Sequence, residues 1–243
     1  MSGPRREDAD RVTATREYAA RFAGPVGGHF LAVQTARTVE LVAPWPGARV
    51  LDVGGGHAQL VPPLVAAGYS VTVAGSDASC EDLLRERLDP GSYEFVACDL
   101  MDLPFEARSF DLVLSYRLLT HVGDAAGFAA QLARVADKAI VVDYPAKKSF
   151  NLLGDKLFKA KESLDDNVHT RHYVSFWDQE VEILFAVHGF GKPVRRRQHF
   201  WPMALHRGLG SAGLTKASEG LARGLGLTAC LGSPVILRME RMA

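Results

Sequence analysis

The chain is poor in cysteine, has no surplus of either charge and lacks a long apolar run. Its three cysteines, Cys80, Cys98 and Cys230, form no CxxC pair. No disulfide framework and no metal site is expected from them, and reduced, buried thiols in a cytosolic protein are. Lys plus Arg and Asp plus Glu both number 28, so the formal net charge is zero. That balance gives no support to a general nucleic-acid binder. No apolar stretch approaches the ~20 residues that span a membrane. Met1 to Arg16 is charged and has no apolar core, which does not read as a secretory signal, so a cytoplasmic location is expected. Internal repeats and low-complexity tracts are missing too.

What is present suits one α/β domain with room for an insertion: 243 residues, 47 % of them hydrophobic. The organising stretch is Arg49-Val50-Leu51-Asp52-Val53-Gly54-Gly55-Gly56-His57-Ala58. A short apolar, β-branched run reads as a buried strand. An acid and a glycine run close it, and Gln59 to Ala67 reads as a helix ended by Gly68. Strand, glycine turn and helix open a nucleotide-binding βαβ unit, where backbone must turn sharply and lie against a ligand. Asp52 discriminates between ligands. A carboxylate before the glycines repels a pyrophosphate but attracts the ammonium and sulfonium of S-adenosylmethionine (SAM).

This stretch resembles the first motif of the class I SAM-dependent methyltransferases, acid-x-Gly-x-Gly-x-Gly. Asp52, Gly54 and Gly56 match, with Gly55 between them, and Ala58 replaces the third glycine. Matching stretches follow. Ser70 to Ala74 reads as strand two, at whose end the family places an acid for the ribose hydroxyls. Gly75 falls at that place and Asp77 two residues later, so Asp77 is either the ribose ligand or the N-cap of a helix over Cys80 to Leu88. Tyr93 to Ala97 reads as strand three. The Asp99-Leu100 pair after it resembles the family's adenine contact, the acid accepting from the amino group and the next N–H serving a ring nitrogen. Ser109 to Ser115 resembles the fourth-strand signature, with Asp111 structural and Ser115 at the ligand-facing carboxyl end. Ala125 to Ala136 reads as an amphipathic helix and Ala139 to Asp143 as strand five.

The resemblance implies a doubly wound, seven-stranded, mostly parallel sheet of Rossmann-like type with a helical lid insertion. Residues 1–46 form a helical segment before the core, 47–145 the SAM-binding core, 146–190 the lid insertion and 191–243 the last strands. In the first segment a helix over Arg11 to Phe22, a break at Gly24 to Gly28 and a helix over His29 to Val42 are expected. Phe22, His29, Phe30 and Gln34 either cover the cofactor or pack on the sheet edge. The insertion is rich in Lys, Arg and His and is either a substrate lid or a solvated excursion. Val174 to His188 reads as a helix and Val194 to Trp201 as strand six. Its Arg195-Arg196-Arg197 run holds an anion or lines a solvated edge. A helix over Ser211 to Gly224 and a last strand over Pro234 to Met239, antiparallel in the family's pattern, complete the chain.

The function implied is methyl transfer from SAM, leaving S-adenosylhomocysteine (SAH). The acceptor is narrowed by what is missing. There is no Asn/Asp-Pro-Pro-aromatic run after strand four, where Ser115-Tyr116-Arg117-Leu118 stands, and no Pro-Cys pair. Base-nitrogen, glutamine-nitrogen and cytosine-C5 enzymes are thereby disfavoured, leaving a small-molecule acceptor with oxygen or carbon favoured. His121 is the candidate base, with His169 and His172 of the insertion as alternatives and Tyr144 as a positioning residue. His121 also reads as a packing residue, which a histidine after strand four often is. A non-catalytic SAM-binding protein and an NAD-binding oxidoreductase are the rival functions.

Overall fold

The computed structural model describes residues 8–150 and 173–242. The sheet has seven strands: β1 (Arg49–Val53), β2 (Ser70–Gly75), β3 (Glu94–Ala97), β4 (Phe110–Ser115), β5 (Ala136–Tyr144), β6 (Phe190–His199) and β7 (Ser233–Arg241). Their spatial order is β3-β2-β1-β4-β5-β7-β6. β1 to β5 pair in parallel, and β7 lies antiparallel between β5 and β6. The order reverses beside β1, between β2 and β4, which puts the carboxyl end of β1 at the switch point where open α/β sheets bind ligands.

Both faces of the central strands are covered, which is why they read as continuous apolar runs. Leu51 and Val53 of β1 join Val113 of β4 and Val142 of β5 on one face, over Phe128, Leu132 and Phe185. Val50, Leu112, Leu114 and Val141 point to the other face, over Leu64 and Leu84. The period of two in a strand makes this division. Asp111 is structural, as its place predicts. One carboxylate oxygen accepts from the Arg49 backbone N–H at 2.9 Å and the other from Lys138 Nζ at 2.9 Å, joining the starts of β1, β4 and β5. Lys138 first, then the Arg49 N–H, holds this carboxyl below its ordinary range.

The helices depart from the sequence expectation where glycine and capping chemistry intervene. The single helix over Arg11 to Phe22 is two, α1 (Ala9–Thr13) and α2 (Arg16–Ala20), because Thr15 turns out of the helix and caps α2 by accepting from Tyr18 N at 3.1 Å. Gly24 to Gly28 is no break: α3 (Gly24–Val42) starts there, with Pro25 in its first turn. Gly27 is needed for packing, since a Cβ there would lie 2.3 Å from the Phe22 carbonyl oxygen. After β1 the chain makes a 3-10 turn over Gly55–His57 and only then α4 (Val61–Ala66). A 3-10 turn over Ala78–Glu81 likewise precedes α5 (Asp82–Arg87). α6 (Ala125–Val135) is capped by Asp124, which accepts from Gly127 N at 2.9 Å.

The helix expected over Val174 to His188 is shorter, α7 (Asp178–Ala186). Phe176 instead bridges Ala146, and Ile183 and Val187 are exposed while Val181 and Phe185 carry the packing. β6 starts four residues before the expected Val194. α8 (Met203–Leu209), α9 (Ala212–Gly224) and α10 (Leu227–Leu231) lie between β6 and β7, the first and last of them unforeseen. The arginine run of edge strand β6 is paired. Arg195 meets Glu182, Arg196 meets Glu40 and Arg197 meets Asp178, so acids of neighbouring helices hold it. Cys80 and Cys98 are buried as expected, whereas Cys230 is exposed. The insertion residues 151–172, with His169 and His172, lie outside the described residues. No helix among the described residues is long and apolar enough to cross a membrane.

Candidate active site

The glycine loop is built by close contact. Gly54 has φ +78°, and its N–H donates to the Ala74 carbonyl at 2.8 Å. A Cβ on Gly55 would lie 2.3 Å from Asp52 Oδ2, and one on Gly56 2.4 Å from the Cys80 carbonyl oxygen. Side chains are excluded at both. Ala58, in the place of the third glycine, takes φ +52°, a strained conformation for an L-residue. Ala58→Gly is therefore expected to leave binding intact and to change stability by no more than about 1 kcal/mol, as thermal unfolding would measure.

Asp52 lies under this loop, fully buried, with neither carboxylate oxygen hydrogen-bonded. Burial first, and then the Asp143 carboxylate, push its pKa to about 7 against the pull of the Arg117 guanidinium. Asp143, at the end of β5, is raised to about 6 by burial. It accepts from the Arg117 backbone N–H at 2.6 Å and from Gln34 Nε2 at 2.9 Å. Arg117 takes φ +59° just past β4. Its guanidinium donates to Gln34 and Gln59 and lies 4.4 Å from the centre of the Phe22 ring. α3, β4 and β5 thus meet in one charged network beside the glycine loop.

Beside that network is a cavity of about 240 Å³. Tyr18, Phe22, Phe30 and Tyr173 supply aromatic walls, and Arg117, Asp143 and Gln34 one polar side. His121 lines it, its ring 5.8 Å from that of Tyr173. Gln198 and His199, at the end of β6, also line it. Both are buried, and neither Gln198 Nε2 nor either ring nitrogen of His199 has a hydrogen-bond partner. His199 stacks on Phe30 at 3.9 Å, and burial lowers its pKa to about 3, leaving a neutral imidazole. The strand expected over Val194 to Trp201 contains both residues, with no role for either. Nothing local marks them, because the ring on which His199 stacks comes from α3.

Other expected site residues are placed differently. Ser115 is fully buried and donates its hydroxyl to the Val53 carbonyl at 3.0 Å, tying β4 to β1. Tyr144 lines the cavity but commits its hydroxyl to Asp178 at 3.0 Å. Asp77 is the cap of its 3-10 turn, accepting from Ser79 N at 2.9 Å and Ser79 Oγ at 2.7 Å. Of its two open roles, the described contacts are those of the cap. Asp99 accepts from Met101 N at 2.9 Å, and Leu100 beside it is fully buried. Phe22, Phe30 and Gln34 reach the cavity, while His29 packs edge-on to Phe30 outside its lining. Among the described residues no group of three His, Cys, Asp or Glu could hold a metal ion.

Residues 51–139 match the family model described as a methyltransferase domain. The chain carries a methyltransferase domain over those residues and has the Rossmann-like class I methyltransferase fold. Among curated relatives it is 26 % identical over 190 residues to a ubiquinone biosynthesis O-methyltransferase of Mesorhizobium japonicum, covering 76 % of this chain and 67 % of the relative. A protein of the same name from Paramagnetospirillum magneticum is 36 % identical over 106 residues, 41 % of this chain and 40 % of that protein. Solved structures share the fold of this methyltransferase at lower identity. Magnesium protoporphyrin IX methyltransferase from Synechocystis, solved with bound SAH, has a TM-score of 0.59 at 18 % identity, covering 90 % of this chain and 86 % of its own. The [4+2]-cyclase SpnF has a TM-score of 0.63 at 15 % identity, covering 99 % of each chain.

Proposed function

We propose that this methyltransferase moves a methyl group onto an oxygen or carbon of a small-molecule acceptor held in the cavity between Arg117, His121 and His199. As a member of its family it is an enzyme whose cofactor is SAM and whose product is SAH. The glycine loop and Asp52 fit that cofactor. A fully buried carboxylate with no partner calls for a cation, which an amino-acid ammonium supplies and a dinucleotide pyrophosphate does not. Gly54, Gly55 and Gly56 would give the ligand backbone at close range, and Arg117 would take its carboxylate. Asp99 and the Leu100 N–H are assigned to the adenine. When bound, SAM supplies a methyl group already activated by the sulfonium charge.

The chain's own part is alignment, exclusion of water and proton transfer. Aromatic walls of Tyr18, Phe22, Phe30 and Tyr173 shield the acceptor and favour a flat, largely apolar body. Gln198 and His199 offer it buried hydrogen-bonding groups that water or a ligand must meet. His199 stays neutral and positions. His121, only half-buried beside Tyr173, is assigned the proton of the acceptor hydroxyl. The observation that carries this reading is the unpartnered Gln198–His199 edge lining the same cavity as the Arg117–Asp143–Gln34 network. The names of the curated relatives support oxygen as the accepting atom.

The test is SAH release from a panel of small aromatic hydroxyl compounds. At least one is expected to be methylated, and its His121→Ala turnover to fall about 100-fold with SAH affinity unchanged. Turnover within a few-fold of the parent across a pH range would remove His121 as the base. A protein that bound SAM in calorimetry but consumed it with no member of the panel would support the non-catalytic alternative.

A further inference from the structure

The face of the glycine loop assigned to the cofactor is covered by the chain itself. Ala9, Asp10, Thr13 and Ala14, in and just after α1, are buried against the loop. A Cβ placed on Gly54 would lie 3.5 Å from Asp10 Cβ, and one on Gly56 2.9 Å from Ala14 Cβ. Ala9 packs in the cluster of Leu51, Val53, Ala74, Leu100 and Leu118, residues at the carboxyl ends of strands and the loops after them. Asp10 Oδ2 accepts from the Ser76 backbone N–H at 2.7 Å and from Cys80 Sγ at 3.4 Å. That is one residue beyond Gly75, where β2 ends without an acid.

The seal leaves polar groups unsatisfied. Asp10 Oδ1, both oxygens of Asp52, His57 Nε2 and Ser76 Oγ are buried without partners around the same loop. Each such group costs free energy that a well-formed interior avoids. The apolar surface that α1 offers in return is small, chiefly Ala9 and Ala14. A short helix gripping by one carboxylate over several unmet polar groups is suited to displacement by a ligand that satisfies them.

We propose that α1 is a displaceable plug of the cofactor cleft, latched by Asp10 on the Ser76 N–H, and that SAM enters only when this latch opens. The inference rests on the glycine loop being the cofactor site. Breaking the latch raises the fraction of binding-competent protein, and apparent affinity rises with that fraction. Asp10→Ala is therefore expected to bind SAH about tenfold more tightly than the parent, mainly through faster association, since it removes the carboxylate's bonds to the Ser76 N–H and Cys80 Sγ.

A second variant locks the plug. Asp10→Cys faces Cys80, and copper phenanthroline takes two electrons and two protons from the two thiols to form one disulfide. The oxidised variant, its crosslink verified by mass spectrometry, is expected to bind no SAH in calorimetry. Reduction with dithiothreitol should restore binding, and the oxidised parent should bind normally. Weaker or unchanged SAH binding by Asp10→Ala would overturn the latch. Normal binding by the crosslinked variant would overturn the plug, and it reads one folded protein in two redox states. If the parent and the reduced variants bound no SAH, the cofactor assignment itself would fall, and the plug with it.

Discussion

The stability of the ligand-free protein relative to its Asp52→Asn variant is expected to fall as pH rises from about 4 to 7. Asp52 has a folded pKa of about 7, raised by burial from an ordinary value of 3.8. Between those values the folded state holds a proton that the unfolded state has released. Stability contributed by the protonated acid is thus fully present below pH ~4 and lost as pH approaches 7. The slope from one such group is roughly 1.4 kcal/mol per pH unit, up to about 4 kcal/mol over the window. Asp143, raised to about 6, adds in the same direction. His199, lowered to about 3, and His57, also lowered by burial, oppose it below pH ~6.5. The comparison is therefore parent against Asp52→Asn, by urea unfolding at each pH. Parallel curves would falsify the buried-acid assignment. A cation bound at Asp52 reverses the shift, so SAH binding near pH 6.5 should release a proton. Calorimetry in two buffers of different ionisation enthalpy detects that release.

Gly56→Val should abolish SAH binding and destabilise the fold together. A Cβ at residue 56 meets the Cys80 carbonyl oxygen at 2.4 Å and Ala14 Cβ at 2.9 Å. The first neighbour is backbone that cannot rotate away, so the loop and the 3-10 turn after β2 must separate. Overpacking of this kind costs about 1–3 kcal/mol, and a β-branched side chain in a fully buried place lies at or above the upper end. From the motif alone, a side chain at Gly54 or Gly56 is expected to block the ligand with little unfolding. Burial of the loop changes that expectation, since the glycines are packed by protein on the very face the ligand would use. Thermal unfolding with calorimetry measures both effects. A Gly56→Val protein with the parent's melting temperature and SAH affinity would show that the loop has room to spare.

The fold was legible because its signals are local. Val50-Leu51-Asp52-Val53 followed by three glycines, and Phe110-Asp111-Leu112-Val113-Leu114-Ser115, carry their strand and turn chemistry in consecutive residues. Strand alternation and both-face burial follow from that pattern, and so do the sheet and the place of Asp52 and Asp111. Element ends were less legible where capping competed with periodicity. Thr15 splits one expected helix, and Pro25 with Gly27 starts another where a break was expected.

The site divides along the same line. Consecutive residues determined by themselves the glycine loop, its buried acid and the family chemistry that goes with them. Tertiary structure alone decided which polar groups are already spent. Ser115 is used on Val53 and Tyr144 on Asp178. It also decided which are left over, Gln198 and His199 among them. Asp10 on Ser76 spans 66 residues, Gln34 on Asp143 spans 109, and His199 meets Phe30 across most of the chain. Hydrogen-bond satisfaction is a property of what surrounds a side chain in space. A residue's type states what it can donate or accept, and only packing states whether that capacity remains for a ligand.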